Sequence, residues 1–484
     1  MNMTNSSWSA AELGGAEFGD RRLNARLLTL CDAFAASPAS SLPTACGSPA
    51  ATKAAYRYFG NARVSAAAIL APHLRRSAER VEALEPPIGA TLRCVLVAQD
   101  TTSLLYGKQG VRDLGYLETA GRRGIFLHTA LAISTEGDVL GHLAQRQWVR
   151  DDQSYGKKAD RKSTPSHQKE SDVWRQIRDE ARQVLPESVQ MISLMDREAD
   201  IFTLLAAPRA PHTDYIIRVA QKRRTVRSVA ATAEAGDVLL TRGALIDRLE
   251  ATDPIIASMS VEIGRAAERP ARTATLSVRQ LEVEIPAPPS RSSDTPLPPV
   301  TVRVLLVRED HPPLGQTAIE WVLVTTLALA SIDEAMLCVE NYSKRWLIER
   351  FHYTLKSGLQ IEELQLESRA SLSTAIALLS VVAWHLMHLL YHARVHPDAS
   401  CEPSLEPAQW KALVLRQQRG CHVALPSAPP SMKQAMLWIA QLGGYRGRTT
   451  DIPGIKTLWR GLRRLADMTE TYHDMDRLMT ASAP

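Results

Sequence analysis

Two apolar runs in this 484-residue chain each end on an aspartate. CVLVAQ (94–99) leads into Asp100-Thr-Thr, and MISLM (191–195) leads into Asp196-Arg-Glu-Ala-Asp200. An Asp at the C-terminal end of a buried strand sits at the rim of a sheet, and on neighbouring strands two such carboxylates lie about 5 Å apart. At that distance they repel, so they need a cation or a shared proton. Taken singly, each Asp equally well opens a turn or caps the next helix. A third carboxylate comes from the helical stretch 341–356, where Tyr342, Arg345, Glu349 and Lys356 fall at 0, +3, +7 and +14. At 100° per residue the four lie within roughly 60° of arc. A salt-bridged surface face would also pair Arg345 with Glu349, but such a face does not usually carry Tyr342 and Trp346 among its charges. Asp100, Asp196 and Glu349 converging on a sheet rim can hold two Mg²⁺ ions, which take few carboxylates and fill their shells with water and substrate phosphate. Such a pair activates a nucleophilic oxygen and stabilises the leaving oxygen in phosphodiester cleavage. Arg345 and Lys356 would then grip the flanking phosphates.

The elements that must position these residues are readable from periodicity. Residues 92–219 give three strand-like runs, a helix, a strand, a helix and a strand: LRCVLVAQ, Ile125–Ile133 and Val139–Val149, then Glu170–Leu185, VQMISLM, Ala199–Ala206 and Tyr215–Val219. Strands alternating with helices after a meander predict a mixed α/β sheet covered by helices. The continuous apolar character of the first run predicts burial on both faces. Residues 134–138 (Ser-Thr-Glu-Gly-Asp) are a hairpin turn signal. From 220 to 320 the pattern is β again, interrupted by the Pro/Ser stretch 286–299, an exposed loop. Ser331 with Glu334 has capping-box spacing, and helical pattern runs from there to Lys356. The last third is helical, with Pro-rich breaks at 397–407 and 426–430. Residues 1–80 read as three helices, near 18–28, 50–59 and 65–83. Arg21, Arg22 and Arg26 line the first, which suits docking into a DNA groove and equally an ordinary helix bundle.

Length allows two to four domains. With 45% apolar and 23% charged residues the composition is that of a globular chain, not a disordered one. A net charge of +5 says little by itself, but basic residues cluster. Residues 215–233 carry Arg218, Lys222, Arg223, Arg224 and Arg227 with no acid, and residues 442–464 carry six basic residues against Asp451 alone. Such stripes suit a polyanion touching particular faces, or a solvated Arg-rich surface. The six cysteines are scattered without zinc-ligand register, as for reduced cytosolic thiols. The first residues show no basic start followed by an apolar run, so no signal peptide is expected. The apolar stretch Leu372–Leu390 contains His385, His388 and three hydroxyls, which predicts a buried helix rather than a membrane span.

Together these residues resemble the RNase H-like DDE transposases, in particular the bacterial insertion-sequence transposases that cut through a DNA hairpin. The pattern Tyr-x2-Arg-x3-Glu-x6-Lys (Tyr342, Arg345, Glu349, Lys356) is specific. Asp100-Thr-Thr, Asp196–Asp200, Lys169-Glu-Ser171, Trp174 and Leu442-Gly-Gly-Tyr445 extend the likeness over nearly the whole chain. The resemblance implies an RNase H-like core at 76–219 and 321–370, a β-rich insertion at 220–320, a helical transposon-end-binding domain at 1–75 and a helical dimerisation domain at 371–484. It implies a two-Mg²⁺ active site in which Mn²⁺ can substitute, double-stranded DNA as partner (transposon ends and target), a homodimer on that DNA and a cytoplasmic, nucleoid-acting protein. It implies nicking, hairpin formation, hairpin resolution and strand transfer. It also places a base-stacking Trp at 321, with Trp346 as a second aromatic and Tyr342, Arg345 and Lys356 on the phosphate; a lone strand Trp can equally be core. Two positions depart from the pattern: the loop 286–299 is longer, and Tyr353 stands where a basic residue is usual. A DNA-binding regulator that does not cut and a nonspecific nuclease are the rival readings. The intact carboxylate triad speaks against the first, and the end-binding and dimerisation segments against the second.

Overall fold

The structure, a computed structural model, describes residues 7–107, 110–117, 121–151, 169–229, 240–252, 255–264, 271–288, 297–418, 424–447 and 453–481. The tip of the Pro/Ser loop, 289–296, and the ends or parts of both basic stripes, 230–233 and 448–452, lie outside them.

The first four strands are β1 (Arg93–Leu105), β2 (Gly115–Tyr116), β3 (Arg123–Ile133) and β4 (Val139–Trp148); β5 (Val189–Met195) and β6 (Thr213–Arg218) follow. β4, β3 and β1 form an antiparallel meander, and β1, β5 and β6 run parallel to one another. The order β4-β3-β1-β5-β6 is the RNase H-like arrangement expected. β1 is buried on both faces, and its alternation divides it between two cores. Leu96 and Ala98 join the core shared with the N- and C-terminal helices. Val95 and Val97 join the core built on Trp174 and Ile177 of the helix Val173–Gln183. The turn between β3 and β4 forms as read, with Ser134 Oγ accepting from the backbone N–H of Glu136 and Asp138 and with Gly137 at a positive φ of 103°. The helix expected at 199–206 is a 3₁₀ turn, Arg197–Ala199, and a single helical turn, Phe202–Leu205. The backbone leaves helical geometry at Asp200 (ψ 63°), whose carboxylate accepts from the N–H groups of Ala220 and Gln221.

The insertion contains β7 (Thr225–Val229), β8 (Leu240–Ala244), β9 (Ala257–Ile263), β10 (Arg272–Ile285) and β11 (Val300–Arg308), and β12 (Glu320–Thr325) returns from it. These strands do not close into a sheet of their own. β12 pairs antiparallel with β6, so the core sheet continues through β12, β11 and β10. The extension covers the edge that β6 would otherwise expose.

Five helices precede the sheet among the described residues: Trp8–Leu13, Arg21–Ala36, Leu42–Cys46, Pro49–Phe59 and Ala66–Glu82, each N-capped by a Ser or Asp side chain. Glu12 reaches His73 and Arg80 on the last of them, fixing the first helix to it. The boundary 75/76 read from sequence falls inside that last helix. The apolar stretch becomes the helix Arg369–Val395. It is long and apolar enough to cross a membrane, but 83% of its most apolar window is buried against protein. Trp384 on it donates to the carbonyl of Val139 at the start of β4. Helices Pro407–Gln418, Met432–Leu442 and Ile455–Ala481 follow; the first two separations fall at the Pro-rich breaks, and the third, after Leu442, falls at neither.

Candidate active site at the sheet rim

Strand register brings the two aspartates together. The parallel ladder of β1 and β5 runs from Arg93 opposite Val189 to Ala98 opposite Leu194. Two residues further along each strand stand Asp100 and Asp196, level with one another on neighbouring strands about 4.8 Å apart. The two positions differ in one respect that the sequence does not reveal. β5 ends before Asp196, whereas β1 continues to Leu105 on its pairing with β3, so Asp100 is mid-strand, opposite Thr129. Asp100 therefore lies where β1 has just lost its β5 neighbour, in a notch at the rim. Each carboxylate also fills a modest local role. Asp196 accepts from the N–H of Glu198 at 2.8 Å as the cap of the 3₁₀ turn, and Asp100 accepts from the N–H of Thr101 at 3.0 Å.

Their electrostatics diverge. Burial and the negative charges of Asp100 and Glu349 push the Asp196 carboxyl up, against the Glu198 N–H bond and the Arg345 charge. Burial pushes Asp100 up too, but the imidazole of His352, 3.6 Å away, and the Arg345 guanidinium outweigh it and hold the carboxyl below its usual range. At Asp196, burial and the charges of Asp100 and Glu349 outweigh Arg345, so its ionised carboxylate is left without enough compensating positive charge. A divalent cation fits that deficit, and an all-oxygen donor set suits a hard one. Asp100, Asp196 and Glu349 are the residues that would hold it.

The signature helix is not one continuous helix. It runs from Ile332 to Ser343, tightens through Lys344 and Arg345, resumes as Trp346–Tyr353 and widens into a π turn, Thr354–Gly358. At the tight turn the N–H groups of Lys344, Arg345, Leu347 and Ile348 bond three residues back, and at the π turn Leu359 bonds five back, to Thr354. Three-residue turns overwind and five-residue turns underwind the chain, so the phase of a uniform helix does not describe this stripe. The capping box is likewise altered: Ser331 accepts from the Glu334 N–H, but the Glu334 carboxylate bonds the N–H of Ala330. Gly358 is required at the π turn because a Cβ there would meet the Trp459 ring at 2.6 Å.

Around the rim, Arg345 donates to Glu349, whose side chain is 58% exposed. Tyr342 is buried, which pushes its phenol up to about 12 despite Arg345 and Arg218 nearby, so it remains a protonated donor. Arg218, the last residue of β6, is lowered by burial and by the charges of Arg197 and Arg345. Trp321 on β12 is half-buried and meets Tyr342 edge to face at 5.7 Å. Lys356 lies 3.9 Å from Glu362, which in turn accepts from the N–H of Leu105 at the end of β1. These residues share one region. Trp346 is 41% exposed, but its ring contacts are with Tyr391 and with Arg350. Tyr353 stacks on Trp459, and Lys456 lies 5.6 Å from its ring centroid, so a cation absent at 353 in sequence arrives from another helix.

The basic stripes look different in three dimensions. Lys222 pairs with Glu320, Arg224 with Asp200 and Arg227 with Glu284, so acids from distant segments neutralise much of the 215–233 run. Arg21 and Arg22 open the helix Arg21–Ala36, where positive charge opposes the helix dipole. Arg22, 91% exposed, is held by Asp20, an acid directly beside the three arginines, while Arg26 sits one turn further on and is half-buried. Composition offered no signal for two further groups. His352 is buried, with its Nε2 lacking a hydrogen bond. His128 bonds Thr101 at 2.7 Å and Gln99, meets Trp174 edge to face, and is driven down to about 3 by burial, hence neutral. Trp174 and Glu170, with Thr101 and Glu198, line a cleft beside Asp100. Asp200 is buried, accepting from the N–H groups of Ala220 and Gln221 and from Arg224, and so anchors the chain leaving β6.

Three family models match the chain. One described as a transposase DNA-binding segment covers residues 5–64, one described as a transposase DDE domain covers 113–385, and one described as the transposase Tn5 dimerisation domain covers 381–477. The DDE match includes Asp196 and Glu349 and begins after Asp100, so the place of Asp100 rests on the β1–β5 register. With more than half of its length matched by the DDE domain alone, and with DNA-binding and dimerisation segments on either side, this chain belongs to the Tn5-like DDE transposases, metal-dependent polynucleotidyl transferases that bind DNA, dimerise and carry out DNA transposition.

Proposed function

We propose that this transposase moves its element by cut-and-paste through a DNA hairpin, with Asp100, Asp196 and Glu349 holding two Mg²⁺ ions for which Mn²⁺ can substitute. The observation that carries the reading is the register that sets Asp100 level with Asp196 beside the Arg345–Glu349 pair. When bound, the ions supply the charge that activates the attacking oxygen and stabilises the leaving one. The chain's own residues orient the DNA. Arg345, Arg218 and Lys356 grip phosphates, and Tyr342 donates its phenol proton to a phosphate oxygen. Trp321, half-buried beside Tyr342, receives the base expelled when the strand bends. His352 holds Asp100 ionised. Water first cleaves a phosphodiester at the element end and frees a 3′-OH. That oxygen attacks the opposite strand, closing a hairpin; water reopens it; and the same 3′-OH then joins target DNA. Each step exchanges one P–O bond for another, so no external energy source enters. Residues 1–75, through Arg21, Arg22 and Arg26, bind the element ends, and 371–484 join two protomers, so that cleavage belongs to the paired complex. The protein acts in the cytoplasm at the nucleoid.

The test is incubation of the full chain with DNA bearing the element's own ends, with Mg²⁺ and with EDTA. Metal-dependent excision through hairpin-ended intermediates is expected. End-specific shifts without cleavage would make the protein a regulator, and cleavage indifferent to ends would make it a nuclease. Nicked, open ends without hairpins would refute the hairpin route.

A further inference from the structure

A second cluster of metal-ligating side chains lies away from the catalytic rim. The helix Arg369–Val395 carries His388 and His392, and His396 is its C-cap, giving the spacing His-x3-His-x3-His. Four-residue steps place them on one face, and successive rings lie 5.1 and 4.6 Å apart. All three meet Asp138, the residue that closes the β3–β4 turn. His392 Nδ1 is 2.8 Å and His396 Nε2 3.5 Å from Asp138 Oδ2, and His388 Nδ1 is 3.7 Å from Oδ1. His388 donates instead to the carbonyl of Val139, at 3.0 Å. Asp138 is 5% exposed, and its Oδ1 is buried without a hydrogen bond.

A salt link explains this arrangement less well than a metal site. One carboxylate needs one partner, and the nearby Arg80 is already taken by both oxygens of Glu12. The distances suit a cation. Zinc–ligand bonds of about 2.0–2.1 Å in a tetrahedron set neighbouring donors about 3.3 Å apart, and the separations of 2.8 and 3.5 Å bracket that value. Donor atoms of Asp138, His392 and His396 all lie within 4.8 Å of one another, and the half-exposed His396 ring is free enough to close the remaining edge. Burial raises the Asp138 carboxyl, but the His392 bond and the neighbouring imidazoles bring it below its usual range, while burial keeps His388 neutral. Imidazole donors select late first-row ions over Mg²⁺, so this chemistry is separate from that of the carboxylate triad.

We propose that Asp138, His392 and His396 bind a Zn²⁺-class divalent ion, with a solvent molecule as fourth ligand and His388 orienting the turn. The ion would clip the β3–β4 turn of the catalytic sheet to the helix that leads into the dimerisation segment. The test uses the full chain, stripped with EDTA, dialysed and kept in excess Mg²⁺, then titrated with Co²⁺. One equivalent with the strong visible absorption of four-coordinate Co²⁺, displaced by Zn²⁺, is expected, together with a rise in melting temperature. His396→Gln should weaken uptake at least tenfold without altering the metal-free melting temperature, because its ring is half-exposed. His388→Gln should weaken it about 10- to 100-fold as a loss of ligand support. Asp196→Asn should leave the absorption intact, which separates this site from the catalytic one. An unchanged Co²⁺ spectrum in His396→Gln, loss of the spectrum in Asp196→Asn, or stability that follows pH with no response to Zn²⁺ would each overturn the proposal.

Discussion

Asp196→Asn should make the metal-free protein more stable while abolishing its metal response at the catalytic rim. The carboxyl of Asp196 is raised by burial and by the charges of Asp100 and Glu349, so its ionised form destabilises the folded state. Two carboxylates about 5 Å apart repel by about 0.8 kcal/mol at the dielectric of water and about 3 kcal/mol at an effective value of 20. Asp196 is partly solvated and Arg345 offsets part of the field, which places the relief near the lower end, about 1 kcal/mol. Asparagine keeps the cap bond from Glu198, since Asn and Asp cap equally well, so little is lost in exchange. In EDTA at neutral pH the variant should melt about 1–2 °C above the parent. Mn²⁺ should raise the parent's melting temperature through mass action and leave the variant's unchanged. The sign follows from linkage. A raised carboxyl holds its proton more tightly when folded, so stability falls as pH climbs above the unfolded value of 3.8, and the variant's advantage should vanish below it. Calorimetry across pH with Mn²⁺ or EDTA measures this. A variant that melts below the parent in EDTA, or that keeps the Mn²⁺-induced rise, would refute the shared carboxylate site.

Trp321→Ala should leave first-strand nicking nearly normal and slow hairpin formation about 5- to 150-fold, the 1–3 kcal/mol of one base stack; an abasic nucleotide at the expelled position should partly restore it, and equal loss of both steps without rescue would assign Trp321 to the core. His352→Leu should move the acid limb of the cleavage profile to higher pH, since burial of Asp100 would then act without the imidazole that holds its carboxyl low; an unmoved limb would remove His352 from the site. Arg21→Ala and Arg26→Ala should each weaken end binding and reduce its log–log salt slope by about 0.9 for every phosphate left unneutralised, with cleavage at saturating DNA unchanged; filter binding across salt concentrations reads this. Asp200→Ala should cost about 3–5 kcal/mol in urea unfolding, because the largely covered Arg224 guanidinium would lose its partner.

Much of the candidate site was legible in the chain because it rests on local rules. Apolar continuity marked β1 and β5 as strands buried on both faces, an Asp after each marked the rim, Ser331 marked the start of the signature helix, and the His-rich apolar stretch announced a core helix rather than a span. Each of these is decided by residues within a few positions of one another. What periodicity cannot specify is which distant segment meets which, because that depends on burial and pairing summed over the whole molecule. Only the tertiary structure set Ala98 opposite Leu194, and thereby Asp100 level with Asp196. Only it carried β1 past Asp100 and joined the insertion to the core through β12 and β6. It also placed His352 against Asp100, and it neutralised Lys222, Arg224 and Arg227 with acids from 20 or more residues away in sequence. The tight turn at Lys344–Arg345 and the π turn after Tyr353 belong to the same class. Helical periodicity assumes uniform winding, and here the wide turn at 354–358 lies against Trp459, whose ring leaves no room for a Cβ at Gly358, a contact with a segment about 100 residues away that no local window contains.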